Sequence, residues 1–136
     1  LAFIRAILLI LSISCSAQAL AVSKDDEAAR GAAVQWLQLI DAGRYEEAAL
    51  RTSQEVRTLE NWLDSFSTQR ARLGRLNKRQ VDEVKHASTV PGVPEVRRYH
   101  VVRFKTSFEH RPAAIEEVTI AKVGCCWEIF GYEISK

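Results

Sequence analysis

Apolar residues along the first half of the chain recur at helical intervals, and along the second half they alternate. Between Ala28 and Ala42, Ala29, Ala33, Trp36, Leu37 and Ile40 fall on one helical face, preceded by the acids Asp25, Asp26 and Glu27 and followed by Gly43. A short second helix is expected through Arg44 to Leu50, with Tyr45, Ala48 and Ala49 turned inward. Leu59, Trp62, Leu63, Phe66, Arg70 and Leu73 then repeat at i, i+3, i+4, i+7, which predicts a third helix capped by Ser53 or Thr58 and ending near Gly74. Its one face is apolar except for Arg70.

From about Lys78 the period becomes two. Strands are expected in "RQVDEVKHASTV", "EVRRYHVVRFKTSF", "AIEEVTIAKV" and "CCWEIFGYEI", joined by the short turn-rich links "PGVP", "EHRPA" and "VG". Links of that length suit antiparallel neighbours, because parallel pairing needs a long crossover. Helices followed by strands define an α+β class: N-terminal helices packed on one face of a curved antiparallel sheet of about four strands. The helices are placed at about 28–77 and the sheet at about 78–135, within one domain spanning 28–136.

Ahead of that domain the pattern is neither helical nor alternating. Arg5, the apolar run Ala6 to Ile13 and Ala17-Gln18-Ala19 have the layout of a secretory signal peptide over 1–19, followed by a flexible segment over 20–27. The apolar run is too short to span a bilayer, so no transmembrane segment is expected. Soluble export to a periplasm is the first reading; a lipoprotein anchored through Cys15 is its rival.

Composition narrows the functions. With 19 Lys and Arg against 17 Asp and Glu, the net charge of +2 argues against a nucleic-acid partner. The densest basic run, Arg70 to Arg79, reads as the solvated end of a helix, with binding of an anionic partner as the lesser alternative. Cys125 and Cys126 read as two strand positions whose thiols diverge, with a vicinal or an intermolecular disulfide as alternatives. His86, His100 and His110 show no metal-binding or catalytic spacing, so no metal and no cofactor are expected.

His100 is the one catalytic candidate. On strict alternation it shares a face with Val102, Phe104 and Phe108, which would bring it beside an acid such as Asp41 or Glu128 as a general base. Trp36, Tyr45, Trp62, Phe66, Phe104 and Trp127 are candidates to line a ligand pocket, or simply to fill the core. In the last strand Trp127 and Ile129 point to one face while Phe130, Tyr132 and Ile134 point to the other, unless a bulge near Gly131 switches the register. Two apolar faces would motivate a homodimer through the sheet.

"WLQLIDAGRYEEA", Trp62 with Arg70 and Gly74, "VPGVPEVRRYHVVRFKTSF", "EEVTI" and "WEIFGYEI" resemble, in that order, the bacterial secreted domain of unknown function 4019. The resemblance implies a fold similar to nuclear transport factor 2 and the cystatin-like group, and it brings no activity with it. The expected function is therefore an exported, non-enzymatic domain that binds a small apolar ligand or a protein partner through the cavity or open face of its sheet. A small hydrolase or isomerase using His100 is the alternative.

Overall fold

A computed structural model describes residues 22–136. The expected signal peptide, its cleavage site and Cys15 lie outside the described residues.

The first helix, α1 (Lys24–Asp41), begins four residues earlier than its apolar repeat does, because the Ser23 side chain accepts from the Asp26 backbone N–H and so caps the first turn. Lys24 to Glu27, expected to be flexible, are therefore helical. The helix stops at Gly43, whose φ of +72° turns the chain into α2 (Tyr45–Leu50). The expected third helix is two. Ser53 caps α3 (Gln54–Arg57), and Asn61, at φ +57°, redirects the chain into α4 (Trp62–Arg72). Leu59 consequently sits in the turn between them and is exposed rather than on the packed face.

Four strands, β1 (Leu76–Ala87), β2 (Tyr99–Phe108), β3 (Arg111–Val123) and β4 (Cys126–Ser135), form one antiparallel meander in the order β1-β2-β3-β4. The helices cover one face, so the α+β architecture is as the periodicity predicts. Trp36, Leu37 and Ile40 from α1 meet Val102, Phe104, Val118, Ile120 and Ile129 from the sheet in the main core. The Trp36 indole N–H bonds the Ala48 carbonyl at 3.1 Å and Thr52 Oγ1 at 3.2 Å, which fixes α2 to α1. Next to Thr52, the Ser53 N–H and Arg51 carbonyl pair with Ile129 at 2.8 and 2.9 Å, so this link covers part of the β4 edge.

The bulge near Gly131 is present. Thr119 opposes Gly131 while Ile120 opposes Ile129, leaving Phe130 as the extra residue. Trp127, Ile129 and Tyr132 thereby all pack against the helix-side core. Phe130 alone of the group joins Tyr99 and Ala121 on the outer face, beneath Val90 and Val93 of the β1–β2 connection. Elsewhere the outer face carries ion pairs, Arg103 with Asp82 and Glu83 and Lys105 with Asp82.

The β3–β4 connection differs from expectation. Cys125 lies in the turn that Gly124 opens at φ +63°, not in a strand, and it is disulfide-bonded to Cys126. The alternation that would separate two strand thiols does not act across that turn.

Candidate functional site

Where α4 crosses the far end of β3 and β4, a cavity of about 370 Å³ opens, lined by Phe66, Gln69, Arg70, Arg72, Leu73, Arg111, Tyr132, Glu133 and Ile134. Phe66 of α4 and Leu73, which caps that helix, are buried, and Tyr132 reaches Phe66 because the bulge returns it to the helix side. Phe66 packs edge-on against Tyr132 at 5.2 Å and stacks on Trp62 at 5.6 Å.

The basic run predicted to be solvated contributes to this region from the inside. Arg70 is only 7% exposed. It donates to Asp41 Oδ1 at 3.0 Å and to the Gly74 carbonyl at 2.7 Å, and its guanidinium lies 4.8 Å over the Phe108 ring. Arg79 is the hub. It grips Glu116 through Nε and Nη2 at 2.8 and 2.9 Å, and reaches Asp41 through Nη1 and Nη2 at 2.5 and 3.2 Å. Burial acts to lower the Arg79 guanidinium, but the hydrogen bonds and charges of Asp41 and Glu116 outweigh it and hold it above its ordinary value. Glu116 is fully buried, at an inward position of β3 between Ala114 and Val118. Two cations and two carboxylates thus cancel.

Three polar groups near this network have no hydrogen-bond partner among the described residues: Arg70 Nε, the Tyr132 hydroxyl and Thr106 Oγ1. Burial first, then the Glu116 carboxylate, push the Tyr132 phenol up, so it stays protonated and able to donate. Arg72 and Arg111 form no ion pair among the described residues, and Glu133 is the single acid in the lining. The cavity therefore joins an apolar wall to a rim with one surplus positive charge.

A second cluster lies at the opposite end of the sheet. His86 and His100 are directly paired across β1 and β2, with ring centroids 5.0 Å apart. Asp26, in the first turn of α1, reaches both through one oxygen, at 2.6 Å from His86 Nε2 and 2.9 Å from His100 Nδ1. The His86 hydrogen bond holds the Asp26 carboxyl down at about 2 against the effect of burial, with Ser23 and His100 assisting. His100 is on the inner face, as alternation requires, but its acid is Asp26, not Asp41 or Glu128. His100 is 2% exposed and packs edge-on to Trp127 at 5.3 Å. It lines neither the cavity under α4 nor those bordered by the other aromatic candidates.

Those other candidates are dispersed. Trp36 and Trp127 border a cavity of about 300 Å³ beside Cys126, and Tyr45 borders one of about 360 Å³ with Glu46 and Leu63. Phe104 is fully buried in the core, and Trp62 packs against that core from the rim. Only Phe66 reaches the cavity under α4. Sequence pattern does not mark Arg70 and Tyr132 as site residues, although a charged residue on the otherwise apolar face of a helix is the signal for the first.

Helices on one face of a four-stranded antiparallel meander, with a cavity where the last helix crosses the sheet, define the class of this protein. The chain belongs to the family described as protein of unknown function (DUF4019), whose model matches residues 32–132. No curated protein and no solved structure matches the chain significantly.

Proposed function

We propose that this is an exported binding domain whose ligand is a small amphipathic molecule with one acidic group, held in the cavity between α4 and β4. The observation that carries the reading is Arg70: a guanidinium 7% exposed, lining a cavity with Phe66, Leu73 and Ile134, with its Nε unpartnered among the described residues. An unpartnered buried donor costs roughly 1–3 kcal/mol, and a ligand acceptor removes that penalty once the side chain turns this donor, which now has almost no accessible surface, toward the cavity. The Tyr132 hydroxyl offers a second such donor, and Arg72 and Arg111, without an ion pair among the described residues, supply the attraction for an anion. A volume of about 370 Å³ sits at the small end of ligand pockets, which run from about 300 to 1,000 Å³. The binding reading is preferred to catalysis at His100 because that ring is 2% exposed and lines none of these three cavities.

Export is supported by the signal-like pattern of residues 1–19 and by the Cys125–Cys126 disulfide, which suits an oxidising compartment.

Calorimetric titration tests the binding reading. Octanoate should bind saturably, while octanol and inorganic phosphate, each carrying half of the required chemistry, should bind at least about tenfold more weakly. Arg111→Glu should abolish the preference for octanoate over octanol. Equal binding of octanoate and octanol by the unaltered protein would remove the role assigned to the arginines.

A further inference from the structure

Asp26, His86 and His100 come from three different elements, α1, β1 and β2, yet their ligand atoms all lie within 4.8 Å of one another. The convergence follows from the sheet register, which sets His86 opposite His100, and from the Ser23 cap, which starts α1 early enough to bring Asp26 over both rings. We propose that these three side chains form a binding site for a divalent transition metal of borderline softness, with zinc as its representative.

Two imidazole nitrogens and one carboxylate oxygen are the donor set such ions take, and three protein ligands leave a fourth position for water. The formal charge of the set is −1, and Asp25 and Glu27 flank Asp26 in the same helical turn. Tetrahedral bonds of about 2.0–2.2 Å hold neighbouring donors roughly 3.3 Å apart. The carboxylate oxygen already lies 2.6 and 2.9 Å from the two nitrogens, so admitting the ion opens each of these by under about 1 Å, while the two nitrogens, within 4.8 Å of each other, take up the same spacing as the His86 ring turns. Each neutral imidazole presents a lone pair at the required nitrogen by moving its proton to the other one. The rings differ in their freedom to make that adjustment. His100 is fixed, 2% exposed and held edge-on by Trp127 at 5.3 Å. His86 is 46% exposed, so it can turn and leaves the open coordination position toward solvent. A bound ion would replace the two hydrogen bonds that now tie the start of α1 to the sheet with stronger links between the same elements.

The test is a zinc chloride titration of the purified, untagged protein, read by calorimetry and by the NMR signals of the imidazole rings. One equivalent should bind, and the His86 and His100 resonances should move while those of His110, on the far β2–β3 turn, stay in place. His86→Ala removes a half-exposed side chain, and Asp26→Asn keeps an acceptor for both histidines, so both variants should fold. Each should weaken zinc binding at least about tenfold. Absence of binding below about 100 μM zinc, movement confined to His110, or undiminished affinity in both variants would overturn the proposal.

Discussion

Replacing Arg79 by Met keeps the aliphatic stem and removes the guanidinium on which the buried ionic network turns. In the native protein that group makes four hydrogen bonds, two to Glu116 and two to Asp41. Asp41 retains Arg70 at 3.0 Å, but Glu116, with a fully buried side chain, is left with no cation. Removing one partner of a buried pair costs about 3–5 kcal/mol, because the remaining charge has neither water nor a counter-ion. At roughly 4 °C per kcal/mol for a domain of this size, the melting temperature should fall by about 12–20 °C. Urea denaturation followed by circular dichroism gives the free energy directly. The double variant Arg79→Met with Glu116→Met should be more stable than Arg79→Met alone by at least about 2 kcal/mol, since it removes the stranded carboxylate as well. A single-variant loss under about 1 kcal/mol, or additive losses in the double variant, would refute the claim that burial makes this network cooperative.

Gly74→Ala should destabilise the fold by more than the roughly 1 kcal/mol of an ordinary glycine replacement, because at φ +73° an added Cβ would stand 2.8 Å from His110 Cδ2 and 2.9 Å from Glu109 Cβ; thermal melts showing no change would contradict that close approach. Intact-mass measurement should find the protein two hydrogens lighter than its fully reduced form, and reduction should shift the melting temperature by no more than about 3 °C, since bridging adjacent residues closes almost no loop. Because the Asp26 carboxyl is held below its ordinary value, its contribution is complete above about pH 4 and is lost as the pH falls through about 2. An NMR titration of that carboxyl with a midpoint near 4 would contradict the double histidine contact.

The layered architecture is legible in the chain because period separates helix from strand, and the two central strands, β2 and β3, carry a clear alternation of buried and less buried positions. What pattern cannot reach depends on residues far apart in the chain. Arg70 and Arg79 read as a solvated run because Arg79's partners, Asp41 and Glu116, lie 38 and 37 residues away. Asp26 is 60 and 74 residues from the two histidines it joins, and the pairing of those histidines depends on a bulge between Val81 and Glu83 that nothing local announces. The break between α3 and α4 escapes the pattern for a different reason: Ser53 and Thr58 both suit a cap, and the left-handed turn at Asn61 is a conformation asparagine tolerates without advertising it. The bulge at Gly131, by contrast, is open as an alternative from sequence, and it is what returns Tyr132 to the cavity wall.

The amphipathic ligand assigned to the cavity under α4 is tested most directly by a backbone-amide NMR titration with octanoate. Saturable shifts should concentrate at Phe66, Gln69, Arg70, Tyr132 and Ile134, and they should be lost in Arg111→Glu. Shifts that fail to saturate, or that gather on the outer face of the sheet, would contradict it.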